Sequence, residues 1–93
     1  MGSYSIGEAL DHLFERSHWK SKMIALRMSN EWEAITGRAI AKYTRSVDMR
    51  EKTLIIYTDV APLKQELQYG REALIERIND YFGERVVEQI VIK

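Results

Sequence analysis

The chain has no cysteine, which removes disulfides, thiolate catalysis and every cysteine-based zinc site at once. Its single proline, Pro62, and its five glycines are too few for a linker, and no repeat or low-complexity segment divides the 93 residues. No stretch approaches the ~20 uninterrupted apolar residues of a membrane span. Met1-Gly2-Ser3 leads directly into polar, helical sequence without a signal-peptide core, so a cytoplasmic location is expected. Fourteen basic side chains balance fourteen acidic ones, and this neutrality argues against a protein that coats nucleic acid by bulk attraction. The phosphate loop G-x-x-x-x-G-K-S/T is missing, and so is the G-x-x-G loop with which RNA-binding KH domains clamp a backbone.

What is present describes one soluble α+β domain spanning residues 1–93. Apolar residues make up 45% and charged residues 30%, too apolar for a disordered chain. A domain of this size buries roughly 60 to 65% of its unfolded surface, enough for one modest core. Charge is unevenly placed. From Arg16 to Arg50, eight basic residues stand against Glu31, Glu33 and Asp48, a balance of +5. From Glu51 onward six basic residues face eight acidic ones, a balance of −2.

Helical periodicity dominates the first half. Ser5 and Glu8 have capping-box spacing, and Ile6, Ala9, Leu10, Leu13 and Phe14 give a first helix its apolar stripe, ending near Ser17. A second helix begins between Trp19 and Ser21, with Ile24, Met28, Trp32 and Ile35 on its core side. Gly37 interrupts it as hinge or C-cap, and Ala39, Ile40 and Tyr43 form a further turn.

The period then becomes two. Val47 and Met49 share one side of a short strand, Arg50-Glu51-Lys52 makes a polar turn, and the β-branched and aromatic run Thr53 to Thr58 is the best strand. Asp59 is the expected N-cap of a third helix, with Pro62 in its first turn and Leu63, Leu67, Gly70, Leu74, Ile78 and Phe82 on its core face. Gly70 inside that helix suggests close approach to another element. Gly83 ends it, and Val86 to Ile92 forms the last strand. The order α-α-β-β-α-β implies a hairpin plus a crossover that returns the last strand parallel, hence a three-stranded mixed sheet packed on helices.

The run W-x2-I-x-G-x2-I-A at Trp32 to Ala41, the strand TLIIYT, the Glu66-Leu67 and Leu74-Ile75 pairs, Ile78-Asn79, and Gly83 ahead of VVEQIVIK together resemble the DciA family. That resemblance covers nearly the whole chain and implies a KH-like domain similar to the amino-terminal domain of the initiator DnaA. It further implies a non-enzymatic role in recruiting or loading the DnaB-type replicative helicase onto single-stranded or forked DNA. The chain looks like a short form, without the extension that longer members carry after the domain.

Candidate sites are surfaces rather than reaction centres, and no catalytic residue, metal or cofactor is expected. His12 has Glu8 at i−4 and Glu15 at i+3, a spacing that a solvated helix face explains better than a metal site. Ser17-His18 has no acidic orienting partner and lacks triad logic. Arg38, Lys42, Arg45 and Arg50 cluster near the helix-to-strand bend and are the expected phosphate contacts, with Lys20, Lys22 and Arg27 next in line. Trp32 belongs to the core stripe; Trp19 either packs or makes a partly exposed contact. Tyr43 and Tyr57 are the better surface aromatics. If Leu54, Ile56, Val86, Ile90 and Ile92 face the helices, then Ile55, Tyr57, Val87 and Val91 face outward as an apolar patch. A partner protein or a second copy would cover it, and a dimerisation module that never touches DNA is the alternative reading.

Overall fold

The computed structural model describes residues 16–93. The expected first helix, with the Ser5–Glu8 capping pair and the His12 group, lies outside the described residues except at its expected end near Ser17, where Arg16 and Ser17 belong instead to the next helix. Along them run α1 (Arg16–Asn30), α2 (Trp32–Thr36), α3 (Arg38–Tyr43), β1 (Ser46–Arg50), β2 (Thr53–Tyr57), α4 (Ala61–Tyr69), α5 (Arg71–Phe82) and β3 (Gln89–Ile92).

The fold is the expected α+β arrangement. β1 pairs antiparallel with β2, setting Val47 opposite Ile56 and Met49 opposite Leu54. β2 pairs parallel with β3, setting Leu54 beside Ile90 and Ile56 beside Ile92. The α4–α5 pair supplies the crossover that a parallel pairing requires. Side chains alternate between faces along a strand, so these six residues all point to the side the helices cover. Met28, Trp32, Ile35, Leu63, Leu67, Leu74 and Ile78 meet them there and are buried, as are Val86 and Val87.

Several boundaries differ from the sequence reading. The helix expected over Asp59 to Phe82 is two helices, divided at Gly70, whose φ of −100° and ψ of 21° leave the α basin. A Cβ on Gly70 would meet only the Glu66 carbonyl oxygen, at 3.6 Å, an ordinary contact. Gly70 therefore marks a break and not a close approach, the outcome favoured by glycine's poor helix propensity. Asp59 does not cap α4. Val60 occupies the N-cap position, and the buried Thr58 hydroxyl accepts the Val60 N–H at 3.2 Å. The second helix also breaks, at Glu31, so that Trp32 and Ile35 sit on the separate α2.

The last correction moves a predicted site residue. β3 begins at Gln89, and the preceding Val86-Val87 is held off the sheet by Asn79 of α5. The Asn79 Oδ1 accepts the N–H groups of Val86 and Val87, each at 2.9 Å, and its Nδ2 donates to the Val87 carbonyl at 3.0 Å. Val87 is consequently fully buried and does not lie on the outer sheet face. Two adjacent valines cannot both face inward on a regular strand. Leaving the ladder lets both reach the core.

Candidate nucleic-acid interface

The bend that carries the basic cluster is built from the core outward. Gly37 closes α2 by donating its N–H to the Glu33 carbonyl at 2.7 Å, then takes φ 97° and ψ 166°, a region essentially restricted to glycine. That turn starts α3 in a new direction. At its far end the Thr44 hydroxyl donates to the Ile40 carbonyl at 2.7 Å and accepts the indole N–H of buried Trp32 at 3.1 Å. Thr58 donates its hydroxyl to the Tyr43 carbonyl at 2.5 Å, and the Arg45 N–H donates to the Tyr57 carbonyl at 2.7 Å. A short, surface-lying helix is thus tied to the core at both ends.

On this support stand Arg38 and Lys42, one helical turn apart and both exposed. The Lys42 ammonium lies 5.5 Å from the ring centre of Tyr43, itself 48% exposed. The Arg45 guanidinium sits 5.9 Å over the Tyr57 ring and 3.5 Å from Asp59 Oδ1. Ion pairs as exposed as that one are worth at most about 1 kcal/mol, so a phosphate can displace the carboxylate. One shallow depression is lined by Glu33, Arg38, Ala41 and Lys42, and a neighbouring one includes Arg45 and Thr44. They share Glu33 and Ala41, so the two adjoin as one track with the exposed Glu33 carboxylate where they meet.

Arg50 does not join them. It ends β1 at the opposite side of the sheet, about 16 Å from Arg45 at the usual rise per strand residue, and pairs with Asp48 at 3.5 Å. The next candidates are partly engaged elsewhere. Lys20 contacts Glu84 at 2.7 Å, and Arg27 makes a two-pronged contact with Glu31 at 3.0 and 3.2 Å while stacking 4.7 Å over Phe82. Tyr81 completes that second group by donating its hydroxyl to Glu31 at 2.6 Å. The Arg27 hydrogen bond, then that of Tyr81, holds the Glu31 carboxyl below its ordinary value, and the same bonding to Glu31 raises the Tyr81 phenol and the Arg27 guanidinium. Arg27 and Glu31 stand four residues apart, so their pairing was readable on a helix; Tyr81, fifty residues on, carries no such signal.

On the outer sheet face, Asp48, Ile55 and Val91 form one cross-strand row, with Tyr57 next to it. Ile55 and Tyr57 are half-buried and Val91 is 38% exposed. Among the described residues no group of three acidic or histidine side chains is placed to hold a metal, and no helix is long and apolar enough to cross a membrane.

Residues 5–92 match the family described as "Dna[CI] antecedent, DciA". The chain belongs to the DciA family. A UPF0232 protein of Corynebacterium glutamicum (strain R) is 23% identical over 91 residues, covering 98% of the chain and 51% of that relative. This DciA-family chain therefore spans about half the length of the curated relative it matches. Residues of the W-x2-I-x-G-x2-I-A run build the site's support. Trp32, Ile35 and Gly37 fix α2 and its exit, and Ile40 and Ala41 seat α3 against the core.

Proposed function

We propose that this chain acts in DNA replication as a non-enzymatic adaptor that assists recruitment or loading of a DnaB-type helicase onto single-stranded or forked DNA. Membership of the DciA family across residues 5–92 carries this reading. Arg38, Lys42 and Arg45 are the proposed phosphate contacts, because one exposed track borders all three and Tyr43 offers a face beside them on which a base can stack. Arg50 is left out of the set on the ground of distance. The reading places the chain in the cytoplasm, where its DNA and helicase are.

Three phosphate contacts on single-stranded DNA give a slope of log affinity against log salt of about −2. Anisotropy titrations of a labelled oligonucleotide at several salt concentrations test this. Lys42→Glu with Arg45→Glu should weaken binding equally for unrelated sequences and flatten the slope, whereas Arg50→Glu should leave it unchanged. Binding that survives the double variant in a folded protein would move the site elsewhere.

A second reading, a protein-interaction module that does not bind DNA, is favoured by the Ile55 and Val91 pair, apolar and solvent-facing on adjacent strands.

A further inference from the structure

Helix α1 carries apolar residues on two opposite sides. Met28 is fully buried and Ile24 half-buried against the core. Half a turn away, at i, i+4 and i+7, stand Trp19, Met23 and Leu26, which are 61%, 43% and 57% exposed. A single exposed hydrophobe is ordinary; three in one helical stripe form a contiguous patch of the kind that marks an interaction surface. Trp19 is the side chain whose placement the sequence left open; it lies in α1 and is exposed.

The charge around the stripe narrows the partner. α1 contains Arg16, Lys20, Lys22 and Arg27 and no aspartate or glutamate. Lys20 and Arg27 flank the stripe on the side facing Glu84 and Glu31, while Lys22 flanks it on the other and makes no ion pair among the described residues. Two copies of this helix packed antiparallel would bring Lys22 against Lys22, and packed parallel would bring it to a flank whose carboxylates, Glu31 and Glu84, are already paired with Arg27 and Lys20. Nucleic acid would use Trp19 but gain little from Met23 and Leu26, which have no ring on which a base can stack.

We propose that Trp19, Met23 and Leu26 insert as anchors into an apolar, acid-rimmed groove on a partner protein, with Lys22 meeting the acidic rim. The three anchors share no residue with the Arg38–Lys42–Arg45 track, although Asn30, one turn beyond Leu26, lines the same depression as Arg45, so the two surfaces adjoin. Only the helicase arm of the test below rests on the helicase reading.

Both arms use the full chain and a Met23→Glu/Leu26→Glu variant, checked for folding by circular dichroism. In the first, a synthetic helical peptide with leucines at i, i+4 and i+7 flanked by glutamates is titrated while tryptophan emission is followed. Trp32 is buried, so a blue shift reports Trp19. The expected result is a saturable shift, no shift with a lysine-flanked peptide, and affinity about tenfold weaker or worse in the variant. Absence of the shift in the parent overturns the proposal. In the second arm, purified DnaB-type helicase should bind the parent and lose the variant, while the variant keeps its affinity for single-stranded DNA. Helicase captured equally by both proteins overturns the proposal and leaves the adaptor reading standing. Helicase captured by neither removes the adaptor reading and leaves the peptide titration to decide. The proposal also fails if the variant's defect is in DNA binding, in binding to anionic vesicles or in self-association.

Discussion

Asn79 grips both backbone polar groups of Val87, donating from Nδ2 to the carbonyl at 3.0 Å and accepting the N–H on Oδ1 at 2.9 Å. The same Oδ1 accepts the Val86 N–H, so one side chain on α5 satisfies three backbone groups of a segment that has left the sheet. Asn79→Ala would orphan the Val87 N–H and carbonyl beside the core, while the Val86 N–H keeps the Glu84 carbonyl at 3.0 Å. The expected cost is about 2 to 3 kcal/mol, read by urea or thermal unfolding. Asn79→Asp keeps the acceptor and should recover part of it. A loss within about 0.5 kcal/mol, the range of a neutral surface change, would show that water replaces the clamp without penalty.

Gly37 has room for a side chain, since nothing lies within 4 Å of a Cβ built there, but its φ of 97° does not suit one. Gly37→Ala should therefore destabilise by about 1 to 3 kcal/mol through backbone strain alone. Because this turn aims α3, the variant should also weaken DNA binding more than its remaining folded fraction explains. Unfolding and anisotropy measured on the same preparation separate the two effects. Unchanged stability would mean that α3 tolerates another exit from α2.

Glu31 and Tyr81 give stability a pH dependence of known sign. The Glu31 carboxyl is depressed below 4.5, so its contribution is present above that pH and is lost as pH falls through the lower folded value. The Tyr81 phenol is raised above 10.0, so its contribution is present below that pH and is lost as pH rises through the higher folded value. Glu31→Gln should lower Tm on the plateau between these limits, converge with the parent at the acid end, and keep part of the difference at the alkaline end, where the Arg27 contact outlasts that of Tyr81. A uniform offset across the whole range would assign the effect to packing.

Tyr57 is half-buried on the outer sheet face beneath the Arg45 guanidinium. Tyr57→Lys should fold, because no helix among the described elements covers that side, yet it places a second cation against Arg45. If the outer face holds a partner or a second copy, gel filtration or partner capture will show the loss. If the variant fails to fold, the face is interior and the second reading falls.

The sequence by itself determined the architecture. Periods of 3.6 and two, read through Met28, Trp32, Ile35, Leu54, Ile56, Leu67, Leu74 and Ile78, mark residues that are all buried, because apolar spacing fixes which face of an element leaves water. Gly37 was legible for a similar reason, as a residue type that a bend demands. Tertiary structure decided what depends on contacts between distant segments. Alternation placed Val87 on the outer face, but a hydrogen bond from Asn79 outweighed it, and a local pattern cannot register a partner eight residues away across a loop. Arg50 looked like part of the basic cluster because it is near Arg45 in the chain; an extended strand turns that short separation into the full length of β1. Trp19, Met23 and Leu26 carry helical spacing just as Ile24 and Met28 do. Only the packing of α1 against the core decided which stripe was buried and which was left facing water.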